Sequence, residues 1–250
     1  MSLSSRAARP HERRAVVAGV PTAPPDNDVL RARGLTLTQG PVTLLRDVSM
    51  AVRAEETFAI TGPAGAGKSA LLACLSGVVA PDSGEVWFNS GAMHVLDEKG
   101  RTALRRRHFG LVDGRTRLLP ELTVAENVVL PLLLDRMRRA EAFAIARHWM
   151  ERLDVTEHAE SRPTGLGPAL LRRAAVARAL VTRPAVVFAD EPAHDLDGTE
   201  VDHLMRILVS AVRSHGTTLV LATADRRVAA HADHCLVLRD GRPDPHTDGW

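Results

Sequence analysis

The chain switches repeatedly between two hydrophobic periods, and the order of those switches predicts its architecture. From Val29 to Val52 apolar and polar residues alternate in short stretches broken by Gly34, Gly40 and Pro41, a pattern of antiparallel strands. Thr57 to Thr61 is a short β-prone run ending in Gly62, and the apolar stretch Ser69 to Val79 after it is helix-prone. Strand, glycine-rich loop and helix therefore follow one another directly. Ser83 to Asn89 reads as another strand after the turn Pro81-Asp82-Ser83-Gly84. From about residue 95 to 165 the pattern is mostly helical. Within that span Thr123-Val124-Ala125-Glu126 is a capping box, and Pro131 is expected to bend or end the helix it opens.

Leu170 to Val181 forms an amphipathic helix that Pro184 stops ahead of five apolar residues, Ala185 to Ala189, the mark of a buried strand. Val201 to Arg213 is helical, Thr217 to Thr223 is a second buried strand, and Cys235 to Arg239 is an edge strand closed by Asp240-Gly241. The alternation predicts an α/β fold, with a mainly parallel sheet flanked by helices. An N-terminal antiparallel β part and a helical part at about residues 95–170 complete one compound domain over residues 29–242. Residues 1–28, with Arg6, Arg9, Arg13 and Arg14 followed by Pro21, Pro24 and Pro25, read as a flexible tail or as a basic arm on acidic lipid. Residues 243–250 read as a flexible C-terminus.

Composition narrows the picture only modestly. At 250 residues, 45% hydrophobic and 25% charged, the chain has the make-up of an ordinary globular domain. Its net charge of +2 comes from dispersed arginines, which gives no reason to invoke nucleic acid. The longest apolar runs, Val128 to Leu134 and Ala174 to Val181, fall far short of the roughly 20 residues of a membrane span, so any membrane contact is expected to come through a partner. The N-terminus lacks a secretory signal pattern, and Cys74 and Cys235 form no metal or disulfide spacing, which fits a reducing cytoplasm.

The chemistry concentrates in Gly62-Pro63-Ala64-Gly65-Ala66-Gly67-Lys68-Ser69, a phosphate-binding loop between a strand and a helix. Glycines let backbone amides converge on phosphate oxygens at the helix start, Lys68 neutralises β- and γ-phosphates, and the Ser69 hydroxyl holds magnesium. Lys68 and Lys99 are the only lysines in an arginine-rich chain, and a compact ammonium suits a phosphate nest better than a planar guanidinium. The second half of such a site is an acidic residue closing a buried strand, and Val186-Val187-Phe188-Ala189-Asp190-Glu191 supplies it. Asp190 is the candidate magnesium ligand, through water, and Glu191 the candidate general base for an attacking water.

From about residue 30 to residue 242 the chain resembles the ATP-binding subunits of ABC transporters. The resemblance rests on Leu45-Arg46-Asp47-Val48-Ser49, the phosphate loop, Asp82-Ser83-Gly84-Glu85-Val86, Leu118-Leu119-Pro120 and Leu122-Thr123-Val124-Ala125-Glu126-Asn127-Val128. It continues through Ala175-Val176-Ala177-Arg178-Ala179-Leu180, Ala189-Asp190-Glu191-Pro192 and Asp195-Leu196-Asp197. The Leu-Leu-Pro and Thr-Val-Ala-Glu-Asn-Val stretches look most like the branch serving macrolide export, lipoprotein release and cell-division permeases. The resemblance implies a P-loop NTPase fold, ATP and Mg2+ as ligands, and a cytoplasmic position at the inner face of the membrane, held there by a permease. It also implies a homodimer or heterodimer in which each ATP is bound between the cradle of one subunit and the signature loop of the other. Gly62 through Ala70 are assigned to nucleotide, Ala70 standing where relatives often carry a hydroxyl residue.

Several family positions are altered. The signature Leu-Ser-Gly-Gly-Gln is matched by Leu166-Gly167-Pro168-Ala169-Leu170, which lacks the serine hydroxyl and, at Pro168, an amide hydrogen for the γ-phosphate. Each lost charge-assisted hydrogen bond removes about 1.5 to 3 kcal/mol of sandwich stability. The family's magnesium-linking glutamine is matched by Asp113 and Gly114, its switch histidine by Ala224, and its adenine-stacking aromatic by Gln39. His231-Ala232-Asp233-His234 reads as a metal cluster or as a helix-to-strand connection, and Arg105-Arg106-Arg107 as a solvated helix face or a permease contact. Two readings of function remain: a slow or partner-dependent ABC-type ATPase, and a non-hydrolysing ATP-binding regulatory subunit paired with a more complete one.

Overall fold

A computed structural model describes residues 28–115 and 117–244. The two terminal segments read above as flexible lie outside the described residues, apart from Asp28, which opens the first strand, and Pro243 and Asp244.

Strands β1 (Asp28–Gln39) and β2 (Val42–Arg53) form an antiparallel hairpin, and β4 (Ser83–Phe88) with β5 (Gly91–Ala92) extends it into a four-stranded sheet of order β2-β1-β4-β5. The second sheet contains β3 (Thr57–Thr61), β6 (Phe109–Asp113), β7 (Val186–Asp190), β8 (Thr218–Thr223), β9 (His234–Arg239) and the short β10 (Arg242–Pro243). Its order is β10-β9-β3-β8-β7-β6, parallel throughout except for β10.

The central parallel strands β3, β7 and β8 are apolar on both faces, and their alternation sends side chains into two separate cores. Phe58, Ile60, Val186, Phe188, Val220 and Ala222 pack toward the antiparallel sheet and α1 (Lys68–Leu75). Ala59, Val187, Ala189, Leu219 and Leu221 pack the other way, onto α3 (Val124–Leu134), α4 (Arg139–Arg152), α5 (Pro168–Leu180) and α6 (Gly198–Ser214). Helices α2 (Glu98–His108) and α7 (Arg226–Ala229) complete the set. One face of the parallel sheet is therefore covered largely by a β layer rather than by helices alone. No helix among the described residues is long and apolar enough to cross a membrane.

The structure refines two local expectations and corrects the extent of α1. The span 95–165 is not all helical, because Phe109–Asp113 is strand β6, paired in parallel with β7 along its whole length. Five residues are too few for a period to show, and only the neighbouring strand makes them β. Helix α1 stops at Leu75 instead of Val79: Gly77 takes φ 68° and donates its N–H to the Cys74 carbonyl, leaving Val78 and Val79 exposed. Pro131 lies inside α3 without ending it, because Val128, Val129 and Leu132 are buried and their packing outweighs the lost amide.

Candidate nucleotide site

The parallel sheet gathers the candidate residues at the C-terminal ends of four adjacent strands, where an open α/β sheet leaves a crevice. Thr61 of β3 pairs with Thr223 of β8, Ala222 of β8 with Asp190 of β7, and Asp190 with Asp113 of β6. The phosphate loop leaves β3 and enters α1 at Lys68. Two of its glycines are required by space as well as by conformation. A Cβ at Gly62 (φ 141°) would lie 2.2 Å from the Leu238 carbonyl oxygen, and one at Gly67 (φ 99°) 2.5 Å from that of Leu44. Gly67 caps α1 with no side-chain acceptor, so the amides of the first turn are left for an anion.

Lys68 is 7% exposed, and its Nζ donates to the carbonyls of Gly62 (3.0 Å) and Pro63 (3.1 Å). The same ammonium lies 3.8 Å from Glu191 Oε1. Ser69 Oγ donates to Asp190 Oδ1 at 2.9 Å, which joins the two candidate magnesium ligands directly. Burial pushes the Asp190 carboxyl up from its ordinary value; the Ser69 hydroxyl partly offsets this, and the nearby charges of Glu191 and Asp113 add to it. A hydroxyl and a carboxylate paired in this way are hard oxygen donors of the kind that fit magnesium.

Glu191 adopts φ 43°, a left-handed conformation costly for a residue with a side chain, and its N–H donates to the Ala222 carbonyl at 2.8 Å. Its Oε1 accepts from the Ala224 amide (3.0 Å) and its Oε2 from the Thr223 hydroxyl (3.1 Å). Asp113 joins the strand tips, but its carboxylate is taken by Arg117 Nε at 2.7 Å and the Arg115 amide at 3.0 Å.

The altered signature segment makes a sound helix start. Gly167 is the N-cap of α5 and Pro168 its first residue, where a missing amide hydrogen is harmless to the helix. One turn on, the buried Arg172 donates to the backbone carbonyls of Asp113 (3.2 Å) and His194 (3.1 Å), and Arg178 donates to that of Arg117 (2.7 Å). The helix is thus tied to the loops beyond β6 and β7. Thr223 and Arg172 carry no signal of their own in the sequence: one is the end of a strand, the other one of many dispersed arginines. Nothing in their local spacing distinguishes them.

The remaining candidates resolve differently. His231 to Asp233 connect α7 to His234, the first residue of β9, and no group of three or more His, Cys, Asp or Glu side chains able to hold a metal ion occurs among the described residues. Arg105 and Arg106 are both paired, Arg105 half-buried and Arg106 exposed. Arg105 donates to the Gly77 carbonyl and pairs with Glu98 (2.9 Å), and Arg106 bonds the Leu134 carbonyl (3.1 Å) and Asp135 (2.6 Å). These contacts brace α2 against the ends of α1 and α3. Gln39 stands exposed at the end of β1. Cys74 is buried, and its thiol is pushed up to about 12, which makes it inert at neutral pH.

Comparison with known proteins places this geometry. Residues 45–194 match the family described as ABC transporter. The chain is 39% identical to YbbA of Escherichia coli K12, an uncharacterized ABC transporter ATP-binding protein, over 201 residues, 80% of this chain and 88% of YbbA. It is also 39% identical to LolD of Bordetella pertussis, the ATP-binding protein of a lipoprotein-releasing system, over 214 residues, 85% of this chain and 93% of LolD. Among solved structures it resembles the ATP-binding cassette MJ0796, seen as a dimer in a post-hydrolysis state bound to ADP and Pi. The TM-score is 0.80 at 29% identity, covering 86% of this chain and 96% of that one.

Proposed function

Because the chain belongs to the ABC transporter family, as one of its ATP-binding subunits, we propose that it contributes to a transporter dimer one ATP half-site that keeps its phosphate, magnesium and base groups, and one deficient signature face. The observation that carries this is the convergence, at the C-terminal ends of adjacent parallel strands, of Ser69 on Asp190 at 2.9 Å and Lys68 on Glu191 at 3.8 Å. In this reading the loop Gly62 to Ala70 wraps the phosphates with backbone amides. Lys68 exchanges its carbonyl partners for the β- and γ-phosphates. Ser69 and Asp190 would hold Mg2+, which neutralises phosphate charge when bound. Glu191 accepts the proton of the attacking water.

The signature face is weaker. Gly167 has no hydroxyl and Pro168 no amide hydrogen to offer a partner's γ-phosphate, whereas the axis of α5 still presents its positive end. The reading therefore favours a heterodimer, with the partner subunit supplying a complete signature to Lys68. A membrane permease would hold the pair at the inner face of the membrane, and the likeness to LolD supports the branch that releases lipoproteins. Hydrolysis in such a dimer is slow and partner-dependent.

The test is to co-purify the tagged full chain with its membrane partners and assay phosphate release. We expect Glu191→Gln to abolish turnover while ATP still binds, and Lys68→Ala to weaken ATP binding about 10- to 100-fold, the loss of one or two charge-assisted bonds. Unchanged turnover in Glu191→Gln would sink the hydrolytic reading. The second reading, a non-hydrolysing regulatory subunit, is favoured by Ala224 and Pro168, and binding without any phosphate release would establish it.

A further inference from the structure

Three consecutive residues at the end of β8 hold Glu191. Its amide donates to the Ala222 carbonyl, its Oε1 accepts from the Ala224 amide, and its Oε2 accepts from the Thr223 hydroxyl. Thr223 is 1% exposed, and its hydroxyl oxygen already accepts the Asp225 amide hydrogen at 3.0 Å. That bond leaves the hydroxyl's own proton for Glu191, whose carboxylate can only accept. Asp225 in turn caps α7 by accepting from the Arg227 amide at 2.8 Å, which fixes the far side of the turn into α7.

We propose that Thr223, with the Ala224 amide, is the positioning device for Glu191, an arrangement that needs no side chain beyond Cβ at residue 224. This inference rests on the reading of Glu191 as the base. Two observations point beyond simple packing. The strained backbone of Glu191, φ 43°, is over-determined by bonds from both its main chain and its carboxylate, as pre-organised site residues are. Moreover Lys68 is the other partner of Oε1, and it must turn toward phosphate when nucleotide binds. The β8 contacts then hold the carboxylate in place. A carboxylate offers about four lone-pair sites, so two acceptor bonds leave capacity for a water proton.

The test uses the complex that co-purifies with the full chain and compares Thr223→Val, Thr223→Ser and Glu191→Gln. We expect Thr223→Val to lower kcat by about 10- to 100-fold, the range for a misplaced catalytic group, with KM and ATP affinity within about twofold. Thr223→Ser should recover most of the rate. A Thr223→Val complex that turns over at the wild-type rate while Glu191→Gln is inactive overturns the proposal and spares the base. Wild-type turnover in Glu191→Gln, or a silent wild-type complex, overturns the base and the positioning role together. Should Thr223→Val fail to fold, the nucleotide-free Glu191→Ala chain decides: hydrogen exchange at the Ala224 amide should accelerate about tenfold or more, and unchanged protection refutes the contact.

Discussion

Asp190 shows how a single residue trades stability for chemistry. Its carboxyl is raised from the ordinary 3.8, chiefly by burial, so the fold disfavours the ionised form. A carboxyl raised in the folded state contributes stability only at low pH, and that contribution is lost as pH rises from 3.8 through the folded value. Asp190→Asn keeps an oxygen for the Ser69 hydroxyl and removes the charge. The variant should therefore melt above the wild type at neutral pH without nucleotide, by a margin that shrinks on acidification, and should lose the magnesium dependence of ATP binding; calorimetry across pH checks both. Lys68, Ser69, Asp190 and Glu191 could all be found in the sequence because each lies within a contiguous motif. Thr223 and Arg172 could not, since their importance comes from partners 32 residues and 59 residues away along the chain.

At the scale of elements, the start of α3 shows how local chemistry and tertiary contact combine. The capping box is formed as its four residues predict, Thr123 accepting from the Glu126 amide at 3.2 Å and Glu126 from the Thr123 amide at 2.9 Å. Asn127, fully buried, does more than continue the helix. It accepts from the Leu119 amide at 2.7 Å and donates to the carbonyls of Leu119, Leu122 and Thr123, which ties the preceding loop to the helix. Thr123→Ala should cost about 1 kcal/mol, the usual loss of a cap. Asn127→Ala should cost about 2 kcal/mol or more, because the Leu119 amide is stranded. Denaturant unfolding of both variants measures the difference, and equal losses would contradict the pinning role. Strand β6 and the continuation of α3 through Pro131 are the converse case, in which neighbours overrule local preference.

For the whole molecule, the sheet order β9-β3-β8-β7-β6 is what turns scattered motifs into one site. Residues 61–69, 113, 190–191 and 223–224 meet because their strands run side by side and end together. The signature segment heads α5 with its N-cap exposed, and a Cβ at Gly167 would meet open space, so the fold tolerates repair there. The isolated Glu191→Gln chain should remain monomeric with MgATP. Adding Gly167→Ser, Pro168→Gly and Ala169→Gly should shift it toward an ATP-dependent dimer, as gel filtration with light scattering would report. A repaired chain that stays monomeric would place the obstacle to self-pairing elsewhere. What the sequence alone determined was the phosphate loop, the acidic strand end and most helices and strands, all readable because motifs, caps and hydrophobic periods act over a few neighbouring residues, while the losses at Gly167, Pro168 and Ala224 show only against the family pattern the chain resembles. Only the tertiary structure decided that Phe109–Asp113 is a strand, that Arg105 and Arg106 brace helices, and that β8 grips Glu191. Those facts depend on hydrogen bonds and burial between segments far apart in the chain, and no local pattern encodes which distant partner a side chain will meet.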